Sequence, residues 1–430
     1  MTSNQIMKFP DGFLWGTATS AHQVEGNNIY SDWWEWEKSE ERIKSLRQEG
    51  KETNEFVSGD ACDHYHRLEE DFDLVKQGGQ NAHRLSIEWA RIEPREGEWD
   101  AREIAHYRKV LGALRQRSIK SFVTLWHFTN PMWFAAKGGW LRGSNVAYFN
   151  RYCEKVAREL GDIVDAWITI NEPGVYAQLS YRGGWWPPQK HSLAQAARVF
   201  WNLAHAHRMA YRYLKSITPA ISVGIANNAS SIESYRKHHL WDHVLEWGSL
   251  IIANHLFYRL SGPATHDFLG VNYYFKTRLR RSQGKIMPQI DNIERHGRDA
   301  SIVGWEIHPH GLFDVLMDLS HLNKPIYITE NGIAGDDDAQ RQQFIIEHIK
   351  EVRHAITAGA DVRGYFYWSL LDNFEWQSGW APKFGIVDVN RQTFERNPKE
   401  SYYLYKKIAE SNDIDTSMSS VLDTGSKNKK

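Results

Sequence analysis

Two glutamates stand where a strand-like run stops. Tyr327-Ile328-Thr329-Glu330-Asn331-Gly332 leads an apolar, β-branched stretch into one acid, and Asn-Gly then turns the chain. Trp167-Ile168-Thr169-Ile170-Asn171-Glu172-Pro173 does the same far upstream, with proline closing it. In a parallel barrel all strands end at one rim, so Glu172 and Glu330 would share it, as a pair of catalytic carboxylates requires. The chemistry that uses such a pair is glycoside hydrolysis. With retention, the carboxyl groups lie roughly 5–5.5 Å apart, one a nucleophile and the other first acid, then base. A carboxylate near Arg84 would stay ionised, whereas a drier or repelled one would hold its proton. Strand-end glutamates are also common surface charges, and spacing alone leaves both readings open.

The rest of the chain supplies the elements a barrel needs. Strand patterns fall at 13–20, 81–89, 121–127, 163–171, 221–227, 267–274, 325–330 and 364–370. Helical periodicity covers 63–78, 101–116, 144–160, 191–215, 309–322 and 340–357, and an aromatic then charged excursion runs from 32 to 56. Eight strands separated by helical or long connections spell an α/β fold, a single-domain (β/α)8 TIM barrel. An open doubly wound sheet is the alternative, but no Gly-rich phosphate turn follows any strand. The barrel is expected over residues 1–410. The Ser-, Asp-, Thr- and Lys-rich stretch 411–430 is expected to be a disordered tail.

Composition narrows the partners. The 430 residues are 41% hydrophobic and 24% charged, with a formal charge of −1, which argues against nucleic acid or membrane surface as partner. Two cysteines allow no disulfide framework, and no signal-like or membrane-spanning run is present, so a cytoplasmic protein is expected. The outlier is tryptophan, at 19 residues. Aromatic faces beside polar residues suit sugar rings, but a large aromatic core gives the same count. Cys62, His64 and His66 make a tempting metal cluster.

Several long motifs resemble the family 1 glycoside hydrolases, the retaining β-glucosidase family, over about residues 8 to 408. Phe13-Leu14-Trp15-Gly16-Thr17-Ala18 with Gln23-Val24-Glu25-Gly26 is similar to the family's N-terminal signature. Asp63-His64-Tyr65-His66-Arg67 and Arg84-Leu85-Ser86-Ile87-Glu88-Trp89 follow at matching places, which leaves no need for a metal at Cys62. Thr169-Ile170-Asn171-Glu172-Pro173 resembles the acid/base motif and Ile328-Thr329-Glu330-Asn331-Gly332 the nucleophile motif. Tyr365-Phe366-Tyr367-Trp368-Ser369, continuing to Asn373-Phe374-Glu375-Trp376, completes the set.

The resemblance implies roles. Glu330 would be the nucleophile and Glu172 the acid/base, with Arg84, Asn272 and Tyr274 supporting the nucleophile. Asn171 would bond the sugar 2-hydroxyl; Gln23, His127, Glu375 and Trp376 would take the other hydroxyls; Trp368 would lie under the ring. Only one of Tyr273 and Tyr274 can face inward. No cofactor or metal is implied, and the substrate is a small-molecule or oligosaccharide β-glycoside: a terminal β-D-glucosyl unit, with β-galactosides and β-fucosides plausible. Three departures stand out: Phe128 where many members carry tryptophan, a short stretch between Val223 and Asp267, and an unusual Trp185-Trp186-Pro187-Pro188 loop. A 6-phospho-β-glycosidase is the runner-up, disfavoured because Glu375 would repel phosphate. A non-catalytic sugar-binding relative would lack one glutamate, and a thioglucosidase would carry glutamine at 172.

Overall fold

The computed structural model describes residues 6–234, 240–281, 288–290 and 300–415. Eight strands close into one parallel barrel: β1 (Leu14–Ala18), β2 (Ala82–Ser86), β3 (Lys120–Thr124), β4 (Ala166–Asn171), β5 (Ser222–Asn228), β6 (Leu269–Asn272), β7 (Ile326–Asn331) and β8 (Val362–Trp368). Each pairs with its neighbours in chain order, and β8 returns to β1. This is the expected (β/α)8 barrel, and each strand falls inside or within two residues of its sequence pattern.

Helices wrap the outside: α1 (His64–Gln77), α2 (Ala101–Gln116), α3 (Val146–Leu160), α4 (Leu193–Ile217), α5 (Pro309–Ser320), α6 (Asp338–Thr357) and α7 (Glu400–Ser411). Their starts follow capping chemistry. The side chains of Asp100, Ser192 and Asp337 accept backbone N–H bonds in the first turns of α2, α4 and α6. Helix α3 turns Phe149, Tyr152, Cys153, Val156 and Leu160 to the core.

Period-two alternation divides the strands' side chains into two cores. Val123, Trp167, Tyr365 and Tyr367 point out under the helices. Ala82, Phe122, Ile168 and Phe366 point into the barrel, where Phe122 packs against Phe268, Tyr327 and Phe366 at 5.9, 5.0 and 4.9 Å between ring centres. That aromatic plug fills the interior, so a ligand can enter only at the strands' carboxyl ends. Arg84, two residues after Ala82 on β2, shares the inward side.

Most of the tryptophan surplus belongs to the core: Trp15, Trp33, Trp89, Trp126, Trp140 and Trp167 are fully buried. Small sheets that sequence patterns did not announce finish the fold. Ser231–Ser234 pairs with Lys276–Arg281, and Val387–Val389 with Arg396–Pro398. At the carboxyl end the chain departs from the expected boundary at 410. Helix α7 runs to Ser411, and Asp413–Asp415 pairs antiparallel with Ile6–Lys8, burying Ile414 fully. Residues 416–430 lie outside the described residues. No helix among the described residues is long and apolar enough to cross a membrane.

The turn after β7 is fixed by close backbone approach. Asn331 donates to the Tyr273 carbonyl at 2.6 Å and accepts from the Tyr365 hydroxyl at 2.7 Å, and Gly332 then passes against β8. A Cβ at Gly332 would sit 1.8 Å from the Trp368 carbonyl oxygen. Gly332→Ala should therefore destabilise the fold by roughly 3 kcal/mol, read from chemical denaturation. A loss below about 1 kcal/mol would show that the β7–β8 rim is looser than this contact implies.

Candidate active site

Both strand-end glutamates reach one cavity through different backbone devices. Glu330 is the penultimate residue of β7 and pairs in register with Asn272 of β6. Glu172 directly follows β4 and adopts a left-handed conformation, φ +41°, before Pro173 opens a short helix. Proline suits that first helical position because its missing N–H would be unpaired anyway. The Glu172 N–H donates instead to the Ala226 carbonyl at 2.7 Å, tying the turn to β5.

Glu330 is held on both oxygens. Arg84 Nη1 donates to Oε1, and the Tyr274 hydroxyl donates to Oε2 at 2.5 Å. Arg84 is itself fully buried and uses its remaining N–H groups on Asn171 Oδ1 at 2.7 Å, Thr124 Oγ1 at 3.2 Å and the Thr329 carbonyl at 3.1 Å. Burial and the neighbouring Glu330 push the Tyr274 phenol well above its ordinary range, so it remains a donor.

Glu172 has no cation against it. Asn272 Nδ2 donates to its Oε1 at 2.8 Å, while burial first and Glu330 second raise its pKa to about 8. Asn272 therefore bonds the other carboxyl from the one the resemblance assigns it to; its remaining contacts are Asn171 Oδ1 at 3.1 Å and Thr329 Oγ1 at 2.7 Å. Register explains this: Asn272 sits on β6 beside Glu330, but its side chain reaches across towards β4. Glu375 is raised to about 8 as well, by burial and then by Glu330. The folded chain thus keeps these two protons to higher pH than the unfolded chain does. Their contribution to stability is fullest below the ordinary carboxyl range and is lost as pH rises towards about 8.

The cavity measures about 450 Å³ and brings together His127, Asn171, Glu172, Tyr274, Glu330, Trp368, Glu375 and Trp376. His127 Nε2 meets Asn171 Nδ2 at 3.2 Å, and burial depresses its pKa far below the usual histidine range, so it is neutral. Its ring lies nearly parallel to Trp368 and Trp376, each 6.0 Å away. Gln23, Arg84 and Asn272 stand one layer back, outside the lining. Gln23 is fully buried, with its amide N–H groups directed to Asn373 Oδ1, the Phe374 carbonyl and Glu375 Oε2 at 3.1, 2.8 and 3.0 Å. It orients Glu375 rather than facing the cavity.

Tyr273, the alternate neighbour of Tyr274, faces out and donates to the His308 carbonyl at 2.8 Å. Phe128 packs between Trp186 and Trp376. Cys62, His64 and His66 each have their own partners: the Asp372 carbonyl, Asp71 and Asp63. Sequence reading missed Val175, Leu179, Asn228, Phe275, Val303, Trp305, Gln377, Ser378 and Phe384, which also line the cavity. Only Val175 and Leu179 carried a signal, three and seven residues beyond Glu172 on the helical segment it begins.

The model of glycosyl hydrolase family 1 matches residues 5–257 and 258–414. Beta-glucosidase A of Thermotoga maritima is 30% identical, with 95% of this chain and 99% of that protein covered. A beta-galactosidase of Pyrococcus woesei is 29% identical over 94% of this chain and 98% of its own. Among solved structures, a beta-glycosidase from Pyrococcus horikoshii superposes with a TM-score of 0.85 at 38% identity, covering 95% of this chain and 96% of that one. The sequence match and the shared barrel agree along nearly the whole chain: it belongs to glycosyl hydrolase family 1 and is a glycoside hydrolase.

Proposed function

We propose that the enzyme is a retaining exo-β-glycosidase that releases terminal non-reducing β-D-glucosyl units by double displacement, with Glu330 as nucleophile and Glu172 as acid/base. The observation that carries this reading is the opposite setting of the two carboxyls. Glu330 is gripped by a guanidinium and a phenol, so it is ionised and aimed; Glu172 is buried beside that negative charge and keeps its proton.

Each step follows from those settings. The Glu330 carboxylate attacks the anomeric carbon while Glu172 gives its proton to the departing glycosidic oxygen, leaving a glycosyl ester on Glu330. Esterification removes the negative charge beside Glu172, which then favours its ionised form and takes a proton from the incoming water. Water's oxygen attacks the anomeric carbon, and Glu330 leaves as carboxylate. Asn171, tied to Arg84, is placed to meet the 2-hydroxyl. Glu375 and Trp376 take further hydroxyls, and Trp368 supplies the ring platform.

Thermotoga maritima glucosidase structures in complex with deoxynojirimycin and glucoimidazole support a small glycoside as substrate here. The described lining holds three carboxyl groups and no lysine or arginine, which speaks against a phosphorylated sugar. Both cysteines are buried and unpaired, which supports a reducing, cytoplasmic setting.

Glu330→Gln should lower turnover of an aryl β-D-glucoside on the order of 10⁴-fold or more. A 2-deoxy-2-fluoro-glucosyl probe should add its sugar mass to the peptide holding Glu330, and labelling elsewhere would end the assignment. In Glu172→Gln, substrates with good leaving groups should still form the glycosyl-enzyme, and azide should restore turnover as a β-glucosyl azide. For the wild type, kcat/KM should fall as pH climbs through about 8, because glycosylation needs Glu172 protonated. With a 2,4-dinitrophenyl glucoside, whose leaving group needs no proton, that alkaline limb should be weakened in the wild type and absent in Glu172→Gln. A limb that persists there and disappears in Glu375→Gln would transfer it to Glu375.

A further inference from the structure

We infer that Thr329 is a positioning residue for the acid/base: through Asn272 its hydroxyl keeps an amide N–H on Glu172 Oε1, which leaves the transferable proton on Oε2. This rests on Glu172 as the proposed acid/base.

Four buried side chains have only one consistent set of donors and acceptors. The Arg84 guanidinium has no acceptor, so the Asn171 amide atom 2.7 Å from its Nη2 is the oxygen. The other half of that amide, Nδ2, meets Nε2 of the neutral His127 at 3.2 Å. Asn272 lies 3.1 Å from the same Asn171 oxygen and must turn its Nδ2 there. Its second N–H then falls on Glu172 Oε1 at 2.8 Å, and its own oxygen is left facing Thr329 Oγ1 at 2.7 Å. Only a hydroxyl that donates satisfies that oxygen. Thr329 stands on β7 directly before Glu330, and Arg84, Asn171, Asn272 and Thr329 are all buried, so solvent offers them no replacement partner.

An oxygen that accepts an amide N–H is a poor seat for a carboxylic proton, so Oε1 accepts and Oε2 carries the acid hydrogen. The same N–H favours the ionised form, and so opposes burial and Glu330, which favour the protonated one. The charged and titratable groups around Glu172 are Glu330, Arg84, Glu375 and Tyr274, and Asn228 at the end of β5 is a second hydrogen-bonding amide. Both steps depend on this balance, since Glu172 gives up a proton in the first and takes one in the second. In Thr329→Val the Asn272 oxygen becomes a buried acceptor without a donor. The amide then loses its anchor, and Glu172 holds its proton more tightly.

Two pH limbs of the full chain read this balance. The alkaline limb of kcat/KM on phenyl β-D-glucoside follows Glu172 as acid. The acid limb of kcat on 2,4-dinitrophenyl β-D-glucoside, where the second step limits turnover, follows it as base. In Thr329→Val, shown folded by thermal melting, both limbs should move up by about half a pH unit, roughly a threefold change in proton binding. Thr329→Ser keeps the hydroxyl and should return both limbs to their wild-type positions. A packing defect alone would lower the plateaus and leave the limbs in place. Asn272→Ala should move the limbs up at least as far, and adding Thr329→Val to it should move them no further. Unmoved limbs in Thr329→Val, or limbs that move alike in Thr329→Ser, would overturn the inference. If Thr329→Val does not fold, unmoved limbs in Asn272→Ala would overturn it as well. An alkaline limb on phenyl glucoside that survives Glu172→Gln would instead overturn the acid/base reading itself.

Discussion

A guanidinium sealed inside the barrel sets the terms for this molecule. Arg84 is buried to about 1% exposure, and an unpaired cation there would be strongly destabilising. It is neutralised by Glu330 from β7 and hydrogen-bonded to Asn171 from β4, Thr124 from β3 and the Thr329 carbonyl. One planar fork thus ties four strands of the rim together and fixes the carboxylate and the amide at the mouth of the cavity. Lysine, a single point charge, could not hold that many partners in fixed directions.

The same ionised Glu330 organises the protons around it. Its charge keeps Tyr274 a donor and helps keep Glu172 and Glu375 protonated, with burial the larger cause in each. Three carboxyl groups line one small cavity, and only Glu330 meets a cation directly. Such an arrangement is poor for stability at neutral pH, and it is the setting in which the proposed acid and nucleophile could act together. The barrel below is plugged by Phe122, Phe268, Tyr327 and Phe366.

Aromatic residues divide between two jobs that composition could not separate. Trp15, Trp33, Trp89, Trp126, Trp140 and Trp167 fill the fold. Trp368 and Trp376 face the cavity parallel to His127, and Trp185, Trp186 and Trp305 also line it. Phe128 packs against Trp376 and Trp186 and lines the cavity with an apolar ring.

How far the sequence reached can be judged from individual residues. Strand periodicity and helix caps were enough for the barrel, and the two apolar runs for setting Glu172 and Glu330 at one rim, because alternation and capping are local and short-range in origin. Local pattern also put Arg84 within a strand. It could not say that Asn272 turns to Glu172, that Gln23 stands behind Glu375, or that Trp305 backs Tyr274. Those contacts join strands and loops that meet only when the barrel closes. Nor did the tail's composition reveal that Asp413–Asp415 pairs with Ile6–Lys8, an edge-to-edge contact between the two ends of the described chain. The sequence by itself determined the scaffold and the two acids. Tertiary structure alone decided their protonation, because burial and charge proximity are properties of the assembled rim and of no single stretch of chain.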